Sequence, residues 1–201
     1  MSSPEFFFLA NLLCLDLVNT EPMRDGERVD LLEGFAGLTR WLREAGVLPE
    51  ESARRAAERW GRTGEGEAVL VEAKALRAAL RAGAERLAAG RPAGPGLVRA
   101  VNRILAARPT YRRLERRGEA VVSRLEPVSE SPLQLLAPVA ESAAWVLEYG
   151  DLSLVRRCDG NRCVLFFYDT TRNRSRRWCS MEGCGSRAKA GAYYRRQHPP
   201  R

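Results

Sequence analysis

Apolar residues recur at helical spacing through most of the first 150 residues. Leu9, Leu12, Leu13, Leu17 and Val18 predict a short amphipathic helix over 9–20. Glu21-Pro22 and Asp25-Gly26 then mark a turn region. Asp30 stands as the N-cap of a helix carrying Leu31, Leu32, Phe35, Leu38, Trp41 and Leu42, ended by Gly46. Pro49 opens another helix with Ala53, Ala56, Ala57 and Trp60 on its apolar side, and residues 61–66 break the pattern. The longest helix is expected over 67–89, where alanine and leucine dominate. A Pro/Gly breaker over 91–96 precedes a helix over 97–106. The period then changes: partial alternation over 110–116 and 120–125, around Arg117-Gly118, predicts a β-hairpin. Ser131-Pro132 supplies a cap and an N1 proline for a last helix ending near Gly150.

Beyond residue 150 the pattern differs. Residues 155–168 are β-rich, 169–177 are polar and basic, and 184–196 read as a terminal helix. The expected fold is therefore mainly α: a helical domain over 1–150 with a small β-hairpin, followed over 151–201 by a treble-clef-like finger.

Cysteine placement turns this second segment into a metal site. Four of the five cysteines fall there as Cys158-x4-Cys163 and Cys179-x4-Cys184, fifteen residues apart. Two close pairs joined by a short ordered segment suit tetrahedral zinc. Gly160 and Asn161 lie in the first loop and Gly183 and Gly185 flank the last ligand, where small residues ease bending of the backbone around a metal. Four cysteines fill the coordination sphere, so the ion is structural, and it can supply folding energy that a module of about 50 residues lacks. His198 is expected to be a tail residue outside the site. Cys14, between leucines, reads as a small buried apolar residue.

Charge follows the same division. The net charge of +8 sits wholly in residues 151–201, which hold twelve Lys or Arg against four Asp or Glu, while residues 1–150 hold 21 of each. That asymmetry points to a polyanionic partner for the second segment; a basic tail that only aids solubility is the plainer alternative. The candidate contacts are Arg172, Arg174, Arg176 and Arg177 in the loop before the third cysteine, and Arg187, Lys189, Arg195 and Arg196 in the terminal helix. Guanidinium groups suit phosphate and guanine edges of double-stranded DNA. Trp178, Tyr193 and Tyr194 interleave with this charge; base stacking is one use for them, and packing of Trp178 and one tyrosine over the zinc site is the favoured one.

The residues also carry a resemblance. Cys158-Asp-Gly-Asn-Arg-Cys163, Phe166-Phe167-Tyr168-Asp169, Arg176-Arg177-Trp178-Cys179-Ser180-Met181 and Cys184-Gly185-Ser186-Arg187 resemble the CGNR-type zinc finger, with Ser186 in place of the asparagine of the naming run. Upstream, Cys14-Leu-Asp-Leu-Val-Asn-Thr20, Trp41-Leu42 and Leu76-Arg77-Ala-Ala-Leu80 are similar to the companion ABATE domain. The resemblance implies a bacterial, stress-induced transcription regulator.

Asp16 and Asn19 are polar residues in an apolar segment and need partners if buried. Arg77 is the expected partner of Asp16, as an internal salt bridge or, in the functional alternative, with Asn19 in a small-ligand pocket. The overall expectation is a DNA-binding regulator with one Zn2+ ion, a helical domain that senses a small ligand or dimerises, and homodimers as a sensible geometry. A protein-interaction module is the alternative. No carboxylate cluster, phosphate-binding glycine loop or nucleophile with a matched base suggests an enzyme. No signal peptide or membrane span is evident, so a cytoplasmic protein is expected.

Overall fold

The computed structural model describes residues 5–107, 110–127 and 131–197. Among them are seven α-helices and three two-stranded antiparallel hairpins. Helix α1 (Leu13–Val18) lies at the centre, packed against α4 (Gly64–Ala88), α6 (Ala137–Tyr149) and strand β6 (Phe166–Tyr168), and Cys14 through Val18 are all buried. Helices α2 (Gly34–Glu44), α3 (Glu50–Trp60) and α5 (Pro95–Ala106) pack on or beside α4. At 25 residues, α4 is about 37 Å long and serves as the spine. Gly83 lets α5 close on it, because a Cβ there would meet Leu97 Cδ2 at 2.5 Å.

Several elements depart from the sequence reading for physical reasons. Residues 9–12 are not helical. Asn11 takes φ 60°, Ala10 O accepts from Tyr168 N at 2.8 Å, and Asn11 Nδ2 donates to Tyr168 O and Thr170 Oγ1, each at 3.0 Å. Backbone and side chain there reach across to β6 rather than closing helical turns. Asp30 is not the cap of α2, which begins after Glu33. Its carboxylate instead accepts from Leu32 N and grips Arg77 at 2.7 and 2.9 Å. Helix α4 begins earlier than expected, at Gly64, because Thr63 Oγ1 accepts from Gly66 N and so supplies the cap that outweighs two glycines.

The Asp25-Gly26 turn proves to be a tight hairpin between β1 (Met23–Arg24) and β2 (Glu27–Arg28), with both central residues at positive φ, 50° and 94°, as a type I′ turn requires. The expected second hairpin joins β3 (Thr110–Arg117) to β4 (Ala120–Pro127) in register from Thr110↔Pro127 to Arg117↔Ala120. Ser131 Oγ accepts from Leu133 N as anticipated, but it caps a 3-10 turn (Pro132–Leu136) that leads into α6.

The two sequence segments share one core. Strand β5 (Val155–Arg157) pairs with β6, and Val155 and Phe166 join the helical cluster that contains Leu17, Leu38, Trp41, Leu76 and Val139. Leu165 and Phe167, on the opposite side of β6, join Cys158, Cys179 and Cys184 in a second, smaller cluster. Period-2 alternation in three residues thus binds the helical layer to the finger.

Candidate metal centre and nucleic-acid interface

The first cysteine pair is the turn of the β5–β6 hairpin itself. Cys158 N donates to Leu165 O, and Cys163 N donates to Gly160 O at 3.0 Å with Arg162 at φ 61°. The second pair spans the entry to the terminal helix. Ser180 Oγ accepts from Gly183 N, and a π-turn (Met181–Gly185) delivers Cys184 to the start of α7 (Ser186–Gln197). A helix N-terminus favours an anionic sulfur.

The geometry fits a tetrahedral ion. Sulfurs around zinc at about 2.3 Å stand about 3.8 Å apart. Here Cys163 and Cys179 are 3.9 Å apart and Cys179 and Cys184 3.7 Å, and all four ligand atoms lie within 4.8 Å of one another. Gly160 leaves room for this rather than for a backbone bend: a Cβ there would lie 2.6 Å from Cys184 Sγ. Backbone N–H groups of Gly160 and Cys179 point at Cys158 Sγ from 3.4 and 3.2 Å, and Arg187 Nη2 lies 3.0 Å from Cys184 Sγ. Hydrogen bonds from Cys163 and Cys179 hold the Cys158 thiol well below its ordinary range, and the same contacts push Cys163 and Cys179 up. Four adjacent thiolates need a cation, and these four residues form the site of one structural zinc ion. His198 lies outside the described residues.

The eight basic candidates separate into two groups. Arg176 faces inward: it donates to Trp178 O, Leu9 O and Cys179 O at 3.0, 2.7 and 2.6 Å and stacks over Phe167 at 4.2 Å. It is a strut between the N-terminal segment and the third ligand, a role that nothing in its sequence context signalled. Arg174 pairs with Asp151 and Arg177 with Asp159. Arg187 braces a ligand sulfur. Arg172, Lys189, Arg195 and Arg196 are exposed and form no ion pair among the described residues. Helix α7 buries none of its residues. Beside the knuckle it walls a cleft of about 660 Å³ lined by Arg177, Arg187, Lys189 and Arg195 with Asp159 and Trp178. Trp178 packs against the zinc cluster as expected, whereas Tyr193 and Tyr194 stay 60% and 63% exposed.

Asp16, Asn19 and Arg77 do not share a site. Asp16 Oδ1 accepts from Ala10 N at 2.9 Å. Arg77 turns instead to Asp30, Thr20 and Glu21. The expected Asp16–Arg77 pair is therefore corrected: the guanidinium finds the carboxylates of Glu21 and Asp30, on the segment between α1 and α2. Asn19 donates to Phe166 O and accepts from Phe166 N, both at 2.9 Å. Its polarity within an apolar run was the one signal available. Burial raises the Asp16 carboxyl to about 6 despite hydrogen bonds from Ala10 and Leu9. Cys14 is 2% exposed, and burial raises its thiol to about 11, which suits packing and not nucleophilic chemistry.

Four cysteine sulfurs gathered at the spacing of one ion's ligands, carried on a hairpin knuckle and a helix start and fused into a helical layer, define a zinc-finger protein with a helical companion domain. Residues 155–197 match the family model of the CGNR zinc finger, and residues 11–150 match ABATE, described as "Putative stress-induced transcription regulator". The chain belongs to the ABATE family and carries a CGNR zinc finger. No curated protein matches it significantly. Neither family description is that of an enzyme, and no described helix is long and apolar enough to cross a membrane.

Proposed function

We propose that the chain is a transcription regulator that binds double-stranded DNA through its zinc finger. The observation that carries this reading is α7: twelve residues, none buried, anchored at one end by a zinc ligand and bearing Lys189, Arg195 and Arg196. A short helix with no buried residue draws little stability from tertiary contacts, and a partner that supplies them here must be anionic. The major groove of DNA admits one α-helix, and its phosphates match guanidinium forks. The zinc ion does no chemistry in this reading; it fixes where α7 starts. A cytoplasmic location follows from a DNA partner.

Arg176, Arg174, Arg177 and Arg187 hold the finger's shape and charge balance, so Arg172, Lys189, Arg195 and Arg196 carry the contact. Lys189→Ala with Arg195→Ala should weaken binding to all sequences and make the salt dependence shallower by about 2 in log–log slope. An unchanged slope would overturn the assignment. A single finger spans few base pairs, so a homodimer would extend the footprint.

Ligand sensing by the helical domain would need a pocket other than Asp16, Asn19 and Arg77, whose polar groups have separate internal partners. The exposed Tyr193 and Tyr194 beside Arg195 favour one second reading. Tyrosine and arginine are enriched where proteins bind proteins, and an acidic protein surface would then take the place of DNA.

A further inference from the structure

The β3–β4 hairpin stands apart from the rest of the molecule. Among the described residues, its two eight-residue strands find their substantial packing partner in each other. Gly118, at φ +63°, makes the two-residue turn with Glu119, as the first position of a type II′ turn allows. Such a ribbon is about 26 Å long, and two strands alone are marginally stable in water. Keeping one this long with almost every described side chain exposed calls for something that covers it.

Its charge says what. Residues 110–127 contain five arginines and three glutamates, a net of +2 within a 150-residue segment that is neutral overall, so the remainder of that segment is net negative. Arg112 and Arg116 share one face with Leu114 and Val121; Arg113, Arg117 and Arg124 share the other. Arg113 and Arg124 stand directly opposite in register, which concentrates positive charge on a face that also carries Arg117 and Glu115. Arg112 Nη1 donates to Ser123 Oγ at 2.7 Å and Arg116 Nε to Gly118 O at 3.2 Å, and both arginines are exposed. A second copy of the chain is a poorer occupant for the face with Leu114 and Val121, since Arg112 and Arg116 would meet their own equivalents there.

We infer that the β3–β4 ribbon is a second DNA-binding element, laid in or along the major groove, which admits a two-stranded ribbon as readily as a helix. This rests on the DNA-binding reading of the finger. The ribbon, at +2, and α7, at +4, together carry six of the chain's eight net positive charges.

The test uses the zinc-loaded full chain and fluorescence anisotropy on mixed-sequence duplexes of about 30 base pairs, about three helical turns, across a salt series. The variant Arg116→Ala/Arg117→Ala/Arg124→Ala should keep zinc content and melting temperature and lose about 2–3 from the log–log salt slope. The corresponding triple lysine variant, which keeps the charge, should recover most of that loss. A slope equal to the parent's, while Lys189→Ala/Arg195→Ala still lowers it, would overturn the ribbon proposal and leave the finger reading intact. A switch from dimer to monomer at unchanged slope would likewise overturn it, by making the ribbon an interface between copies. No binding by the parent at low salt would overturn both readings.

Discussion

Asn19 clasps Phe166 by both polar groups of its backbone, donating to its carbonyl and accepting from its N–H at 2.9 Å each. A side-chain amide thus completes the outer edge of β6, as a neighbouring strand would. The C-terminal end of α1 is in this way hydrogen-bonded to the finger's β5–β6 hairpin. On one side of that hairpin Phe166 enters the helical core, and on the other Phe167 lies under the zinc ligands.

Removing the clasp leaves a buried N–H and a buried C=O without partners. Asn19→Ala should cost about 2–4 kcal/mol, read by chemical denaturation of the zinc-loaded chain. Asn19→Asp should also destabilise, because a carboxylate can accept from Phe166 N but cannot donate to its carbonyl. A loss under about 0.5 kcal/mol in either variant would mean that the clasp is incidental.

Gly160→Ala should impair the metal site without altering any ligand. The added methyl would lie 2.6 Å from Cys184 Sγ and 2.9 Å from its Cβ, so the knuckle must shift away from the helix start. Cobalt substitution reads this directly: the parent should show the thiolate-to-metal absorption of a tetrahedral four-sulfur site, and the variant a weaker or distorted one. Equal spectra and equal metal affinity would contradict the packing argument.

Chelation should be felt well outside the finger. Because Val155 and Phe166 belong to the main core and Arg176 ties Leu9 O to Cys179 O, loss of zinc removes support from α1. The helical circular-dichroism transition should move down by roughly 10 °C or more. A helical transition that stays in place while the finger alone disorders would show two independent modules.

Asp16 gives a pH signature with a definite sign. Burial raises its folded carboxyl to about 6, above its ordinary value, so the folded state favours the protonated form. Its contribution to stability is full below about pH 4 and is lost as pH rises through about 6. Relative to Asp16→Asn, the parent should therefore gain about 1 kcal/mol on going from pH 7 to pH 5. Taking the difference between the two proteins removes the effect of zinc-thiolate protonation, which they share. A constant gap, or one that moves the other way, would contradict the burial of a protonatable Asp16.

Much of this architecture was legible in the sequence because it depends on local chemistry. The 3.6-residue period set most helices, the change of period around Arg117-Gly118 set the ribbon, and the cysteine spacing set the metal site. Contacts distant in sequence left little or no trace. Residues 9–12 have the apolar pattern of a helix but are drawn out by Tyr168, more than 150 positions away. Arg176 looks like its loop neighbours, and only folding turns it toward three carbonyls. Asp30 carries the signature of a helix cap, yet two arginine hydrogen bonds and a lysine contact outcompete that use. Asn19 announced a need for a partner without saying which.

The most direct test of the central claim is DNA binding by the purified full chain across a salt series, with zinc bound and after chelation. We predict binding that weakens steeply with salt, by close to one log unit per log unit of salt for each phosphate contacted, and that is lost on chelation. Binding that survives chelation would separate the basic surface from the zinc-built frame, and no binding at low salt with zinc bound would contradict the account.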